Sequence, residues 1–386
     1  MAAPIAPDNP RIEPPPAEWP KLIDGAARSS IRPPSTRQTI MSGHQAAIWH
    51  PGILAKLIAT TAAANAFDAD AAWLVVDQDA NNAGAIDYPV RENARLQRRS
   101  ALAAPEQRTP TDTPTGSTPV LRWSSTTESD KANRILARLA ETPGDNAADQ
   151  VTRLLAKLLP ERLGITPPQF ITATSLAKTP TFDAWRSAML EDPAACVNAY
   201  NAAVATNPEA QLRPLATRPD ANRYELPLWR IRPGEPRRPV YNLQLADIPI
   251  DELAPRALLM TAIVRASMCD LFIHGTGGYT YDRVTDDWMK TWLGVDLAPI
   301  ALVTATLHLD LGVPPVTESE VAHAKWRAHA ARHDPALLDD AQARSRKIAA
   351  VESIASEPNP ARRSELFLAM HDDLATVREK HEAELE

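Results

Sequence analysis

Three short segments of this chain combine histidine, aspartate or glycine in patterns that can do chemistry, and each follows an apolar run. The densest is Leu271-Phe272-Ile273-His274-Gly275-Thr276-Gly277-Gly278-Tyr279-Thr280-Tyr281-Asp282. The chain holds 13 glycines in 386 residues, so this cluster marks a place where backbone takes positive φ or comes close to a ligand. It reads as a strand, a glycine turn, and a helix opening at Tyr281-Asp282. Such a turn surrounds an anion with backbone N–H groups, which makes Gly275, Gly277, Gly278 and Tyr281 ligand-binding candidates. His274, at the strand end, can donate to a phosphate or act as general acid or base. Asp282 reads either as a ligand contact or as a first-turn carboxylate favoured by the helix dipole. No Gly-Lys-Ser/Thr follows, so the segment is not a P-loop.

The second segment, Ser42-Gly43-His44-Gln45-Ala46-Ala47-Ile48-Trp49-His50-Pro51-Gly52, lies between a strand and its helix. Ligands of open α/β sheets bind at that strand edge. Ser42, Gly43, His44, Gln45 and His50 there could hold phosphate or carboxylate oxygens. The competing reading is a capping loop with one histidine packed in the core and the other exposed. In the third segment, Leu74-Val75-Val76-Asp77-Gln78-Asp79-Ala80-Asn81-Asn82, the acidic pair Asp77 and Asp79 follows a buried strand. These carboxylates could bind a ribose, a magnesium ion or an amine, or could simply shape the turn. Parallel strands would bring His44, Asp77 and His274, the candidate catalytic residues, to one concavity.

Other titratable groups form no such pattern. His323, His329 and His333 fall on a solvated helical stretch, and Arg91, Arg95, Arg98 and Arg99 read as an exposed helix face. Neither His-Glu-x-x-His nor Gly-x-Ser-x-Gly occurs, which argues against zincin and α/β-hydrolase readings. Cys196 and Cys269 lack any metal or redox spacing, so no metal ligand is assigned, and two cysteines suit a reducing, cytoplasmic setting.

The elements that must position these residues alternate between strand and helix. A strand at 38–41, an alanine-rich helix from Pro51 and a strand at 72–76 make a βαβ unit, which predicts a parallel, right-handed crossover. Helical patterns cover 131–141, 147–163 and 181–204, and residues 224–232 and 240–245 alternate as a hairpin would. A helix at 255–268, a strand at 270–274, a helix at 281–293 and a strand at 301–309 complete the core. The predicted fold is therefore α/β: a Rossmann-like parallel sheet core with a helical insertion and a C-terminal antiparallel helical hairpin. Its expected parts are a Pro-rich arm at 1–34, a core at 35–312 with the insertion around 131–205, and a hairpin at 313–386. In the hairpin, Pro358-Asn359-Pro360 separates helices at 318–357 and 361–385.

Composition narrows the function further. A net charge of −7 offers no basic face for nucleic acid. The N-terminus lacks the basic and apolar regions of a signal peptide, and the apolar run at 297–307 is too short to span a bilayer. The 36 prolines cluster in 1–34, 105–119, 207–239 and 313–315, marking arms and connectors.

Taken together, the segments resemble the cysteine-adding enzymes of bacillithiol synthesis. In that family a strand enters a Thr-Gly-Gln-Gln-like loop, then a helix, then a strand ending in an acidic motif. Ser42-Gly43-His44-Gln45 stands in the first place here, Trp73-Leu74-Val75-Val76-Asp77-Gln78-Asp79 in the second, and His274–Tyr281 at a later glycine-rich turn. The resemblance covers 36–90 and, more weakly, 255–295. It departs at His44, where the family has glutamine, and in an acidic motif without the family's histidine and later glutamate. It implies a Rossmann-like core, a helical hairpin used for homodimerisation, a nucleotide bound nearby, and amine-to-carboxyl ligation joining cysteine to a sugar-malate. The leading expectation is a ligase-like or transferase-like enzyme for a phosphate-bearing small molecule. A non-catalytic ligand-binding or scaffold protein is the second expectation. A metal-dependent hydrolase using His44, His50, Asp77 and Asp79 is the third.

Overall fold

Side-chain alternation along the strands sets the layering of this protein. The computed structural model describes residues 10–25, 37–92, 95–105, 108–123, 126–308 and 316–382. Contacts divide the described residues into a larger unit within 10–308 and a smaller one at 316–382. The larger unit is built on six strands: β1 (Arg11–Glu13), β2 (Thr39–Gln45), β3 (Asp70–Val76), β4 (Gln169–Thr172), β5 (Leu271–His274) and β6 (Ile300–Thr304). Their order is β1-β6-β5-β2-β3-β4. All neighbours run parallel except β1, which lies antiparallel on β6.

One sheet face presents Ile40, Leu271, Ile273, Ala301 and Val303 to helix α1 (Pro51–Ala66) and to Trp19. The opposite face presents Met41, Leu74, Val76 and Phe272 to helices α2 (Ala257–Ser267) and α3 (Thr276–Leu293) and to helices 180–191 and 193–206. Parallel sheets are stable when covered on both sides, because their strands read apolar in both directions. From β2 the chain winds outward through β3 to β4, then returns to place β5 and β6 on the other side of β2. The winding therefore reverses between β2 and β5. The helices that follow these two strands, α1 and α3, leave on opposite faces and open a crevice between their starts.

Several expectations change in detail. Part of the expected Pro-rich arm is sheet edge: Arg11–Glu13 pairs with β6, and Trp19 is buried with its Nε1–H donated to Pro14 O at 2.8 Å. The remainder of that arm, 1–9 and 26–34, lies outside the described residues. The helical insertion is interrupted by β4, a core strand only four residues long that follows Pro167-Pro168. The helix expected at 181–204 breaks at Asp192-Pro193. Arg91, Arg95, Arg98 and Arg99 lie on a β-hairpin, Ala85–Glu92 with Arg95–Leu102, rather than on a helix. The expected pairing of 224–232 with 240–245 is present as Arg223–Arg230 against Arg238–Tyr241.

Among the described residues the smaller unit has three α-helices, Glu318–Ala331, Ala341–Ser356 and Pro360–Lys380. The first expected helix, 318–357, is broken by Asp334-Pro335 and by Asp339, whose φ of 54° cannot continue a helix. The last two helices are joined by ion pairs from Arg346 to Asp373 at 3.0 Å and from Lys380 to Asp340 at 2.8 Å. Among the described residues, no helix is long and apolar enough to cross a membrane.

Candidate functional site

The crevice at the winding reversal holds a cavity of about 340 Å³, walled by the ends of β2 and β5 and the starts of α1 and α3. Close packing of the strands sets its floor. Ser42 Oγ donates to Ile273 O at 2.6 Å, tying β2 to β5. A Cβ on Gly43 would stand 2.7 Å from both Cβ and O of Leu74, so only glycine lets β2 approach β3 here.

His44 and Gln45 end β2 and line the cavity. The His44 ring faces Gln45 O through Nδ1 at 3.2 Å. A carbonyl only accepts, so Nδ1 carries the hydrogen and Nε2 holds the lone pair of the neutral ring. Burial first, and then the nearby Lys56 charge, pulls the His44 pKa down to about 4 and keeps it neutral at physiological pH. His50 caps α1: its Nδ1 accepts from Gly52 N at 3.1 Å, leaving Nε2–H as a donor. Gln45 Nε2 donates to Asp79 at 2.8 Å, and Asp79 also receives Arg237 Nη1 at 2.5 Å. Arg237 in turn lies over the Trp229 ring at 4.7 Å.

On the other wall, α3 begins earlier than its sequence suggests. Gly275 is the N-cap with φ −88°, and Thr276 opens the helix. None of the three glycines has positive φ, so the expected glycine turn is the first turn of the helix. The N–H groups of Thr276, Gly277 and Gly278 precede the first helical bond, Tyr279 N–H to Gly275 O at 3.1 Å, and these residues line the cavity. The glycines differ in purpose. A Cβ on Gly277 would meet nothing within 4 Å, whereas one on Gly278 would stand 2.2 Å from His274 Nδ1. Gly278 is thus glycine to clear the histidine, and Gly277 leaves backbone open to the cavity.

His274 lines the same cavity from the end of β5, although only 4% exposed. Its Nε2 bonds Asp282 Oδ2 at 2.6 Å. Asp282 is fully buried and also meets Arg265 Nη1, Thr261 Oγ1 and Thr285 Oγ1, each at 3.1 Å. Burial opposes ionisation of this carboxyl, but His274 and the Arg265 guanidinium outweigh it and hold its pKa well below the usual aspartate range. A charged Asp282 fixes Nε2–H as donor and leaves the His274 lone pair on Nδ1. Asp282 therefore orients His274 from within the core. It does not line the cavity, and it lies in the second turn of α3 rather than the first. Tyr281 completes this wall, its hydroxyl pKa raised by burial and then by Asp282.

Two further sequence candidates stand apart from the cavity. Ser42 is the strand tie described above. Asp77 lies at the end of β3, but its carboxylate accepts from Thr174 N at 2.9 Å and from Thr174 Oγ1 at 2.5 Å. Gly116 packs so closely that a Cβ there would be 3.0 Å from Asp77 Oδ2. Asp77 anchors the turn after β4, and Asp79 is the member of the acidic pair that reaches the cleft. Hence His44 and His274 meet at one cavity without Asp77.

Lys56 is the main residue that sequence reasoning missed. It lines the cavity from α1, is 5% exposed, and donates Nζ–H to Gly43 O at 2.7 Å. Its ammonium sits 5.5 Å from the Trp73 ring centroid, and its stem runs beneath Gly275. Among the described residues no carboxylate comes within ion-pairing distance of it. Burial pulls its pKa down to about 8, so it remains mostly charged at pH 7. The signal was present, since Lys56 is the one charged residue in the otherwise apolar or neutral stretch 51–66.

In net, the cleft offers one buried ammonium, three unpaired helix N–H groups and two histidines, while its carboxylate Asp79 is balanced by Arg237. That combination favours an anion. Compared with known proteins, the chain matches no family model and no curated protein.

Proposed function

We propose that this chain is a ligase-like or transferase-like enzyme with a Rossmann-like core, binding a phosphate-bearing small molecule, nucleotide or sugar, in the crevice between β2 and β5. The observation that carries the reading is the convergence of Lys56 and the open first turn of α3 on one cavity at the winding reversal. The likeness of 36–90 to the bacillithiol-synthesis cysteine-adding enzymes supports amine-to-carboxyl joining as the reaction class. In such a reaction the amine attacks a carboxyl already carried as an acyl phosphate: the C–N bond forms, the C–O bond to phosphate breaks, inorganic phosphate leaves, and the amine gives up a proton. The neutral His44 ring, with its lone pair on Nε2, and His274, oriented by Asp282, are the acceptors at hand. The α3 end would hold the phosphoryl group that activates the carboxyl.

A ligand-binding protein without catalysis is the second reading, favoured by the depth at which His274 is enclosed. The metal-dependent hydrolase is not favoured. Asp77 is tied to Thr174, Asp79 to Gln45 and Arg237, and His50 Nδ1 to Gly52, and among the described residues no three such donors converge. Homodimerisation through the C-terminal helices remains part of the proposal. Exposed Ile348, Val351, Phe367 and Leu368 are its candidate contacts, and light scattering before and after deletion of 318–386 tests it.

A thermal-shift screen of the full chain against nucleotides, sugar phosphates, inorganic phosphate, cysteine and sugar acids tests the central claim. Phosphate-bearing compounds are expected to raise the melting temperature, and their unphosphorylated counterparts are not. His44→Ala and His274→Ala should then abolish turnover while sparing binding if the site is catalytic. A screen in which no phosphate compound stabilises the protein refutes the proposal.

A further inference from the structure

We propose that Lys56 is the charge-bearing ligand residue of the cleft and that the group it receives is a phosphate monoester dianion rather than a phosphodiester or a carboxylate. The inference rests on the anion-binding reading above and specifies its substrate class. Lys56 is nine-tenths buried, faces the cavity, and uses one hydrogen bond, to Gly43 O at 2.7 Å. An ammonium has three donors, and a buried charge without a counter-ion is costly. A ligand anion is the partner this position lacks.

The amount of charge selects the anion. Lys56 contributes one positive charge, and the uncapped start of α3 about half of another. The start of α1 adds less, because Pro51 has no N–H and Gly52 N–H is already given to His50. The total, between about one and a half and two positive charges, matches a phosphate monoester, which carries about −1.5 to −2 at pH 7. A diester or a carboxylate carries one negative charge and would leave part of the field unmatched. The geometry agrees: Gly277 leaves its side of the cavity open, and the Lys56 stem passes beneath Gly275, so the ammonium and the free N–H groups flank one spot. His44 is neutral and adds no charge there.

Isothermal titration of the full chain at pH 7.5 and constant ionic strength, with methyl phosphate, dimethyl phosphate and acetate, tests the inference. Wild type is expected to bind methyl phosphate, with dimethyl phosphate and acetate roughly tenfold weaker or more. Lys56→Met should lose roughly tenfold to a hundredfold in methyl phosphate affinity and most of the preference for the monoester. Lys56→Arg, which keeps the charge, should retain that preference and shows that the pocket still folds. If wild type binds methyl phosphate but Lys56→Met binds it equally well, the role of Lys56 is overturned while the anion-site reading stands. Equal wild-type affinity for monoester and diester overturns the substrate class alone. If wild type binds neither phosphate compound, the anion-site reading itself falls, and this inference with it.

Discussion

Replacing Lys56 by methionine should make the folded protein more stable at neutral pH, because a residue kept for binding costs the fold something. Burial lowers the Lys56 pKa from the ordinary 10.5 to about 8, a difference that corresponds to about 3 kcal/mol against the charged form in the folded state. Methionine keeps the length of the stem and removes the charge. It also leaves Gly43 O without its 2.7 Å donor, a loss of about 1–1.5 kcal/mol. The net expectation at pH 7 is a gain of about 1–2 kcal/mol. The pH dependence fixes the sign. Between pH 8 and 10.5 the unfolded chain binds the lysine proton more tightly than the folded chain, so wild-type stability rises with pH in that window. Lys56→Met lacks this rise, and the difference between the proteins should shrink and then reverse by about pH 10.5. Other groups titrating there are common to both proteins and cancel in the comparison. Urea unfolding followed by tryptophan fluorescence is a suitable assay, since eight of the nine tryptophans lie in the sheet-bearing unit. A variant that is less stable than wild type at pH 7, by an amount independent of pH, would show that Lys56 is a structural strut and refute the reasoning.

The two glycines of the α3 start should respond in opposite ways. Gly278→Ala drives a methyl against the His274 ring, which Asp282 holds in place, and should cost about 1–3 kcal/mol. Gly277→Ala has open space and should leave stability within about 1 kcal/mol of wild type while weakening phosphate binding; equal urea midpoints for both variants would contradict this division. Asp282→Ala strands Arg265 and His274 in the core and should destabilise by about 3–5 kcal/mol at pH 7. Because the folded Asp282 pKa is depressed, its contribution is present above the ordinary value of 3.8 and lost as pH falls below it, so the gap to wild type should narrow at pH 3. His44 should stay neutral at pH 6 and protonate only near pH 4, read from imidazole nitrogen shifts by NMR; titration near 6.5 would show that it is not desolvated.

Local sequence patterns foretold a good part of this molecule. The apolar runs before His44, Asp77 and His274 are parallel neighbours in one sheet, because strands buried on both faces must be apolar throughout. His44, Gln45, His50, Asp79, Gly275, Gly277, Gly278 and Tyr281 line the cleft because βα turns at one sheet edge share a crevice. The four-residue strand Gln169–Thr172 was invisible, being too short to show a period. The α3 start was misplaced because glycine reads as a turn, although at Gly278 its value is the missing side chain.

By itself the sequence determined which residue types gather at the strand ends, since that depends on neighbours in the chain and on the period of burial. It could not decide which of them line the cavity. Asp77 and Asp79 are two positions apart and chemically identical, yet one meets Thr174 and the other Gln45 and Arg237, partners brought from 34 to 158 residues away. Asp282 reads from sequence as a ligand contact or a first-turn carboxylate, but the fold sets Arg265, from a different helix, against it in the core. Lys56 became the charge of the cleft only when the winding reversal placed α1 beside the start of α3. Burial and partnership across the sheet assign these roles, and both arise from contacts that no local pattern encodes.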